Sequence, residues 1–241
     1  MDQTYPIAEI FESPQGEGTF SGALMTFIRL AGCNVGRPYT TAAREQLGLN
    51  VYQERCSDWA GVGFSCDTNY KVSRRLTIEE ILAIPEVQQA QRILITGGEP
   101  FIHDLEPLCR GLLKHGVGKL HFETSGTKDF KEMLFKLTHG PDGFMYSKFW
   151  ICVSPKKDYI PELLDVADEI KVLIGDSFEE DKFIAQFVFA QNWYKAGKVF
   201  ISPVNDEHSL NKANADRCLA LQRKYPLLRL TLQSHKIWGV R

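Results

Sequence analysis

Residues 92–127 read RILITGGEPFIHDLEPLCRGLLKHGVGKLHFETSGT, and this stretch decides the fold. Two apolar runs of strand length, Arg92–Thr96 and Lys119–Glu123, flank a segment with helical spacing over Asp104–His115. Gly116 follows that segment as a helix-stop signal. A strand, a helix and a second strand in this order predict a βαβ unit, in which the two strands run parallel.

The same alternation continues on both sides of this unit. Thr77 and Glu80 form a capping-box pattern ahead of a predicted helix at Ile78–Ala83. Longer helices are predicted over Phe178–Trp193 and His208–Lys224. Further apolar runs predict strands at Leu24–Leu30, Ile151–Ser154, Ile170–Ile174, Val199–Ser202 and Arg229–Gln233. Continuous apolar strands that alternate with helices are typical of an α/β fold with a parallel, helix-covered sheet.

Composition narrows the class of protein. The chain has 241 residues, of which 44% are hydrophobic and 24% charged, with a formal net charge of −2. The length fits one domain over residues 1–241. Because the net charge is slightly negative, the protein has no overall positive potential that would attract nucleic acid, and we expect no direct contact with it. No apolar run reaches the roughly 18 residues of a membrane span, and the acidic start lacks a signal-peptide pattern. We therefore expect a cytoplasmic protein without a membrane partner, whose cysteines stay reduced.

Small, polar and charged residues follow the predicted strands at their carboxyl ends. Because these ends share one face of a parallel barrel, where ligands bind, their convergence predicts an active site. Turn formation explains the glycines and prolines, but it explains Glu99, Glu123, Lys156 and His235 less well. The segments are Gly32–Asn34, Thr96–Pro100, Glu123–Gly126, Ser154–Lys156, Ser202–Asn205 and Gln233–Lys236.

Three cysteines surround a polar excursion of the chain at residues 34–65. Cys33, Cys56 and Cys66 suit a soft metal or an iron–sulfur cluster, since three ligands on four irons leave one iron open. Their spacing contains no Cys-x-x-Cys and, taken alone, favours incidental loop cysteines. The excursion predicts at most a short helix near Thr41–Leu47, and a loop this long is often functional. The remaining cysteines are expected to be small buried residues: Cys109, Cys152 and Cys218.

The flanks of these cysteines carry a family resemblance. In chain order they and later segments read EIFESPQGEGTFSGALMTFIRLAGCN (9–34), CDT (66–68), ITGGEPFIHDLEPL (95–108), FETSGT (122–127), CVSPK (152–156), EIKVLI (169–174), ISPVND (201–206) and LTLQSHK (230–236). Together they resemble the 7-carboxy-7-deazaguanine synthase family of the radical S-adenosylmethionine superfamily, over essentially the whole chain. The Gln-Gly-Glu-Gly block followed by Phe-x-Arg-x-x-Gly-Cys is specific to that family, whereas TGGEP is shared more widely.

The resemblance implies a modified, incomplete (βα) barrel and a homodimer. It implies conversion of 6-carboxy-5,6,7,8-tetrahydropterin into 7-carboxy-7-deazaguanine with loss of ammonia, in 7-deazaguanine (queuosine-type) biosynthesis. The 5′-deoxyadenosyl radical initiates this ring contraction. The implied cofactors are a four-iron (4Fe-4S) cluster, S-adenosyl-L-methionine and Mg²⁺, and the implied partner is an electron donor such as flavodoxin. No catalytic residue is assigned beyond the cluster ligands.

Family roles pass to the residues that match. Cys33 and Cys66 match the first and last cluster ligands, and Cys56, the remaining cysteine of the excursion, takes the middle position. The family spaces its last two cysteines far more tightly, so the excursion counts as an insertion in the cluster loop. Thr68 matches a magnesium ligand, with a turn hydroxyl as the alternative. S-adenosylmethionine is expected at Ser65, Cys66, Asp67, Gly98, Ser154, Pro155, Lys156, Ser202, Pro203, Val204 and Asn205.

The resemblance also implies a set of substrate contacts: Pro14, Gln15, Gly16, Arg29, Thr96 and Arg241. Arg29 can pair with a carboxylate through its planar guanidinium, and the alternative is a structural ion pair. Glu17, Glu123 and His235 are candidates for further polar contacts. Near the carboxyl end, Ile237, Trp238 and Val240 are expected to anchor a tail over the substrate by burying apolar area. The alternative is a frayed terminus.

Two other functions account for parts of this sequence. A degenerate, non-catalytic pterin-binding homologue is favoured by the unusual cysteine spacing and opposed by the retained TGGEP, SPK and Gln-Gly-Glu-Gly motifs. A radical activase that acts on a partner glycine would keep the cluster and TGGEP but would not need a pterin pocket. A four-iron spectrum after anaerobic reconstitution excludes the first, and turnover of the carboxypterin excludes the second.

Overall fold

A computed structural model describes residues 3–38, 54–66, 68, 70–140, 142–176, 178–189, 192–205 and 209–239. The strands within this part of the chain are β1 (Thr4–Pro14), β2 (Leu24–Leu30), β3 (Arg37–Pro38), β4 (Glu54–Ser57), β5 (Gly63–Cys66), β6 (Arg74–Thr77), β7 (Arg92–Gly97), β8 (Lys119–Thr124), β9 (Phe149–Val153), β10 (Glu169–Ile174), β11 (Val199–Pro203) and β12 (Arg229–Leu230). The main sheet has the order β12-β11-β10-β9-β8-β7-β2-β1-β6, and β3, β4 and β5 form a small second sheet.

Helices connect the parallel strands of the main sheet. The described α-helices are Ile78–Leu82, Pro85–Gln88, Glu106–Lys114, Lys131–His139, Leu163–Val166, Glu180–Phe183, Asn192–Lys195, Lys212–Lys224 and Ser234–Trp238. The capping box predicted for the first of these is confirmed, because Thr77 accepts from the Glu80 amide and the Glu80 carboxylate accepts from the Thr77 amide. This sequence pattern therefore located a helix start correctly.

The predicted parallel sheet is confirmed for β2 and β7 to β12, whose described pairings with one another are all parallel. The structure adds two antiparallel strands at one edge, since β1 pairs with β2 and with β6. The sequence analysis missed β1, which contains Pro6 and several acids and so lacks a continuous apolar run. The fold is thus mixed α/β rather than purely parallel.

Several predicted boundaries are wrong. The segment predicted as one helix over Phe178–Trp193 contains an α-helix at Glu180–Phe183, a π-helix at Ile184–Val188 and a helix at Asn192–Lys195. The next helix starts at Lys212, where the Asn211 side chain caps it by accepting from the Asn214 amide over 3.0 Å. The last strand ends at Leu230, not at Gln233.

The excursion at residues 34–65 contains β3, β4 and most of β5, an antiparallel arrangement that the sequence analysis did not anticipate. Asp58 closes the turn between β4 and β5, since its carboxylate accepts from the amides of Ala60 and Val62. The short helix predicted near Thr41–Leu47 lies outside the described residues. The described part of the excursion is therefore an ordered hairpin that carries Cys56 and Cys66.

The main sheet curls around an interior. Strand β10 stands five positions from β1 in the sheet order, which is roughly 24 Å in a flat sheet. Thr19, only five residues beyond the end of β1, nevertheless donates its amide to Glu169 at the start of β10 over 2.8 Å. Five extended residues span at most about 18 Å, and the 3-10 helix at Gly18–Phe20 shortens this reach further, so the sheet must curve and bring β10 towards β1. This curvature is what the predicted incomplete barrel requires.

Candidate active site

The strands present two different faces, because successive side chains alternate between them. Ile93, Leu120 and Ile151 point to the face under the helices, where they are fully buried in the main apolar core. The opposite face lines the interior of the curled sheet and carries polar side chains. These are Thr96, His121, Glu123, Cys152, Glu169, Lys171 and Ser202. A polar face enclosed within a barrel marks the candidate active site.

The β4–β5 hairpin brings two of the predicted cluster cysteines together. Cys56 lies opposite Phe64 in the register, two pairs away from Cys66. The two thiols share a hydrogen bond, which together with burial raises the pKa of Cys56 above its usual range. The nine residues between Cys56 and Cys66 therefore do not hold them apart, because the chain turns back between β4 and β5.

Cys33 completes the set from the loop after β2. Its Sγ accepts from the amides of Val35 and Gly36 over 3.4 and 3.2 Å, while burial raises the pKa of the thiol. Cys66 also raises this pKa through its charge, so it lies within electrostatic reach of both other cysteines. Three neighbouring thiols are a donor set that fits an iron–sulfur cluster. Among the described residues, no three His, Cys, Asp or Glu side chains lie close enough together to hold a single metal ion, so the three thiols fit a larger cluster rather than one ion.

The glycine turn after β7 is fitted against the Cys33 loop. A Cβ on Gly98 would lie 3.0 Å from the carbonyl carbon of Gly32 and would overlap Cys33. The Glu99 amide donates to the Gly32 carbonyl over 3.1 Å. Gly98 is one of the residues at which S-adenosylmethionine is expected, and in the structure the absence of a side chain at this position leaves room for the Cys33 loop. This contact sets the Cys33 loop beside the carboxyl end of β7.

Glu99 is buried and its carboxylate joins two loops. It accepts from the Thr124 hydroxyl over 2.8 Å, from the Ser125 amide over 2.8 Å and from the Phe101 amide over 3.1 Å. The Ser125 hydroxyl donates to it as well. The carboxylate thus holds the turn after β8 against the turn after β7, which is an architectural role.

The Ser154–Lys156 turn follows β9 and reaches the cysteine hairpin. The Lys156 ammonium donates to the Ser154 hydroxyl over 2.8 Å and to the Ser154 carbonyl over 3.2 Å. It also lies 5.9 Å from the ring centroid of Phe64 on β5. Burial lowers the pKa of Lys156, and the nearby Cys56 and Cys66 oppose that effect. A cation therefore stands beside the predicted cluster ligands.

The Ser202–Asn205 turn lies at the end of β11, beside the end of β10. The Val204 amide donates to the Ile174 carbonyl over 2.9 Å, and the Asn205 amide group donates to Gln233 over 3.3 Å. Ser202 is buried, and its hydroxyl has no partner among the described residues. The turn is thus placed at the same end of the barrel as the other predicted S-adenosylmethionine segments.

The Gln-Gly-Glu-Gly block forms a loop that enters the barrel. Gln15 donates to the Glu123 carboxylate over 3.1 Å, and the Glu17 carboxylate forms an ion pair with Lys171. Burial opposes the charge of Lys171, but Glu17 and Glu123 outweigh it, so its pKa is raised well above the usual value. The sequence analysis missed Lys171 and Glu169. Their signal was the alternation in the run at residues 169–174, which was interpreted as a continuous apolar strand.

Three residues of the inner face differ in their surroundings. Arg29 pairs with Glu9 over 2.7 Å, which is the structural alternative stated for it, and Thr96 is buried on the inner face of β7. His121 is buried against Phe20, and burial lowers its pKa to about 4, so its ring is neutral near pH 7. The Nε2 atom of His121 has no hydrogen-bond partner in the described part of the chain.

The tail after β12 begins on the Gln-Gly-Glu-Gly loop. Ser234 donates its amide and its hydroxyl to the Gly16 carbonyl over 3.0 and 2.8 Å. The helix Ser234–Trp238 then leaves Ile237 and Trp238 exposed by 69% and 51%. The prediction that these two side chains anchor the tail by burial is wrong for the single chain, because no described residue covers them.

Some predicted site residues lie outside the described part of the chain or next to its boundaries. Asp67, Val240 and Arg241 fall outside the described residues, as do the side chains of Ser65 and His235. Thr68 is described and half-buried, next to the end of β5. The loop with Pro14, Gln15 and Gly16 starts beside the amino-terminal end of β2, because β1 runs antiparallel to β2. Its contacts extend to Glu123 near the carboxyl end of β8 and to Ser234 after β12.

Comparison with known proteins decides the family. A 7-carboxy-7-deazaguanine synthase from Synechocystis sp. is 30% identical over 240 residues, covering 99% of this chain and 94% of that relative. This chain belongs to the 7-carboxy-7-deazaguanine synthase family. The synthase from Escherichia coli K12 is 29% identical, covering 98% of this chain and 99% of the relative. No family model matches the chain.

A solved structure has the same fold. The crystal structure of QueE from Escherichia coli superposes with a TM-score of 0.58 at 25% identity, covering 95% of this chain and 93% of that one. As a member of this family, the chain is a radical S-adenosylmethionine enzyme with lyase activity, and the barrel fold expected from its sequence is confirmed. None of the described helices has the length and apolar character needed to cross a membrane.

Proposed function

We propose that this protein converts 6-carboxy-5,6,7,8-tetrahydropterin into 7-carboxy-7-deazaguanine with release of ammonia. The observation that carries the proposal is the approach of Cys56 and Cys66 across the β4–β5 hairpin, with Cys33 in electrostatic reach. It removes the main objection to a working cluster site, which was the wide sequence spacing. The family to which the chain belongs supports the reaction itself.

We assign the 4Fe-4S cluster to Cys33, Cys56 and Cys66. When bound, the cluster supplies the electron that cleaves S-adenosylmethionine and so starts the ring contraction. The turns after β7, β9 and β11 form the rim beside these cysteines and are proposed to bind S-adenosylmethionine through Gly98, Ser154–Lys156 and Ser202–Asn205, together with Ser65, Cys66 and Asp67. The positive charge of Lys156 next to the thiols is suited to the methionine carboxylate.

The inner face and the Gln-Gly-Glu-Gly loop are proposed to bind the carboxypterin. A tetrahydropterin presents several N–H donors, and the carboxylates of Glu17 and Glu123 with the Gln15 amide oxygen offer acceptors for them. Arg29, Thr96 and Arg241 are proposed as further substrate contacts. Arg29 would have to exchange Glu9 for the substrate carboxylate, and the pair is partly exposed, with 19% of the Arg29 and 33% of the Glu9 side chain accessible to solvent.

We also propose that Thr68 contributes one oxygen to Mg²⁺, which substrate and water oxygens complete. A small electron donor such as flavodoxin would reduce the cluster. A homodimer is proposed as well, and the exposed Ile237 and Trp238 provide apolar surface that a second copy can cover. We further propose a cytoplasmic location, in which the six free cysteines of the structure would stay reduced.

The test is anaerobic reconstitution with iron and sulfide, followed by turnover. The expected results are a four-iron spectrum and formation of 7-carboxy-7-deazaguanine together with ammonia and 5′-deoxyadenosine. A protein that binds the carboxypterin but assembles no cluster would be the degenerate homologue. A protein with an intact cluster that leaves the carboxypterin unchanged would contradict the assigned substrate.

A further inference from the structure

The loop formed by residues 15–20 closes the amino-terminal end of the barrel. Pro14 lies opposite Leu24 in the register, so the loop starts where β2 begins. Its Phe20 ring packs edge-on against His121 and Trp150, at centroid distances of 4.7 and 4.9 Å. The loop therefore fills the barrel from the end where β2 begins, and its backbone position decides where Gln15 and Glu17 stand.

Glu169 holds this loop by its backbone. The side chain is 3% exposed, and its Oε2 accepts from the Thr19 amide over 2.8 Å. Its Oε1 accepts from the Cys152 thiol over 3.6 Å. A second bond, from the Gly18 amide to the Thr231 hydroxyl over 2.7 Å, ties the same turn to the barrel wall. Two consecutive loop amides are thus bound by side chains of the barrel.

Gly18 is shaped to accept the Glu169 carboxylate. Its backbone has φ +69°, a left-handed conformation that favours glycine. A Cβ at this position would lie 2.7 Å from the Glu169 Cδ atom, so any other residue would push the loop away from β10. The glycine and the carboxylate are therefore complementary partners rather than independent features.

We propose that Glu169 is a positioning residue that fixes how far the substrate-binding loop extends into the barrel. Lys171 lies two residues further along the same face of β10 and pairs with Glu17. Strand β10 therefore binds the loop twice, at the Thr19 amide and at the Glu17 carboxylate. In this position of the loop Gln15 donates to Glu123 over 3.1 Å. The proposal rests on the proposed function, since it assigns this loop to substrate binding.

The consequence is specific to the substrate. Loss of the Glu169 acceptor frees the Thr19 amide and lets Gln15 and Glu17 move relative to Glu123. In the described part of the chain the contacts of Glu169 are to Gly18, Thr19 and Cys152, and none is to a predicted cluster ligand or an S-adenosylmethionine turn, so cluster content and S-adenosylmethionine affinity should not change. The effect should appear in the KM for the carboxypterin.

The experiment compares Glu169→Ala and Glu169→Gln in the reconstituted holoenzyme, with Asp168→Ala as the matched control. Asp168 precedes Glu169 and also caps a backbone amide, that of Ile151 over 2.9 Å, but it does not touch the loop. We expect Glu169→Ala to raise the carboxypterin KM about tenfold, as the loss of a hydrogen bond to a charged group implies. Glu169→Gln keeps an oxygen for Thr19 and should stay within about twofold of wild type.

Hydrogen exchange provides a readout that does not depend on turnover. The Thr19 and Gly18 amides should exchange faster in Glu169→Ala than in wild type or Asp168→Ala, while iron content stays equal. Gly18→Ala approaches the same contact from the loop side and should raise the KM similarly, which keeps the test valid if Glu169→Ala does not fold. Equal KM changes in Glu169→Ala and Asp168→Ala, or unchanged exchange at Thr19, would overturn the proposal. If wild type does not convert the carboxypterin, the proposed function fails, and the exchange data still decide the role of Glu169.

Discussion

Replacing Glu99 tests whether the turn after β7 is held by a buried carboxylate. Glu99 is 1% exposed and accepts from the amides of Ser125 and Phe101 and from the hydroxyls of Thr124 and Ser125. Glu99→Ala removes every one of these acceptors at once. The substitution therefore removes the hydrogen bonds that hold the turn after β7 to the turn after β8.

The expected loss in the free energy of unfolding depends on which of these hydrogen-bond donors can find another acceptor in Glu99→Ala. The Ser125 hydroxyl already lies 2.8 Å from the Thr127 hydroxyl, and a hydroxyl can rotate towards a new acceptor. The amides of Ser125 and Phe101 cannot turn, so both remain unpaired. Each unsatisfied buried donor costs about 1–3 kcal/mol, and Glu99→Ala should therefore lower the free energy of unfolding by about 2–6 kcal/mol.

The assay is urea unfolding of the cluster-free protein, followed by circular dichroism. Glu99→Gln keeps one acceptor oxygen but turns an N–H donor towards the remaining amide, so its loss of stability should fall between wild type and Glu99→Ala. Glu132→Ala is the control, because that carboxylate is exposed and, within the described part of the chain, pairs only with Lys136 of the same helix. It should unfold like wild type.

The reasoning would be refuted if Glu99→Ala unfolded at the same urea concentration as Glu132→Ala. Unchanged stability would mean that the two amides are satisfied without the carboxylate. A large loss in Glu99→Gln equal to that in Glu99→Ala would show instead that charge, rather than the number of acceptors, stabilises the turn.

Three further predictions concern the site. Cys56→Ala should abolish the four-iron spectrum and lower the iron content, whereas the buried Cys218→Ala should keep both; full iron in Cys56→Ala would show that another residue is the middle ligand. Thr68→Ala should leave the cluster intact and raise the magnesium concentration needed for turnover, and an unchanged requirement would remove the role. His121→Phe should lose less stability than wild type on acidification, because burial and the charges of Lys119 and Arg92 lower the His121 pKa to about 4. The unfolded chain binds this proton from about pH 6.5 downwards, so wild type should lose about 2–3 kcal/mol more than the variant by pH 4.5, measured by urea unfolding at both pH values.

Much of the fold could be predicted from local pattern. The strand at Leu24–Leu30 has the predicted bounds, and those around 92–97 and 119–124 differ from prediction by one residue. Most residues of these strands are buried, so the strands are continuous apolar runs that can be recognised in the sequence. β1 was not visible in this way, because its pairing partners on both sides, not its composition, make it a strand.

The site divides in a similar manner. Motif order identified the cysteines, the glycine turn and the Gln-Gly-Glu-Gly loop. The inner-face pair of Glu169 and Lys171 was missed, because a polar residue within a short apolar run indicates burial only when the opposite wall of the barrel is known. The burial of Ile237 and Trp238 was predicted wrongly, because apolar residues are buried only where a neighbouring surface covers them. The described residues provide no such surface for these two side chains.

The sequence by itself determined the order of the parallel strands β2 and β7 to β12, the family and the chemical types of the ligands, because these depend on residues that are close along the chain. Only the tertiary structure decided that Cys56 meets Cys66, that Gly98 makes room for the Cys33 loop, and that Glu169 holds Thr19 from 150 residues away. Such contacts depend on the curvature of the sheet and on the turn between β4 and β5. Both arise from packing over the whole domain, and no local pattern encodes the distance between two loops that the chain brings together.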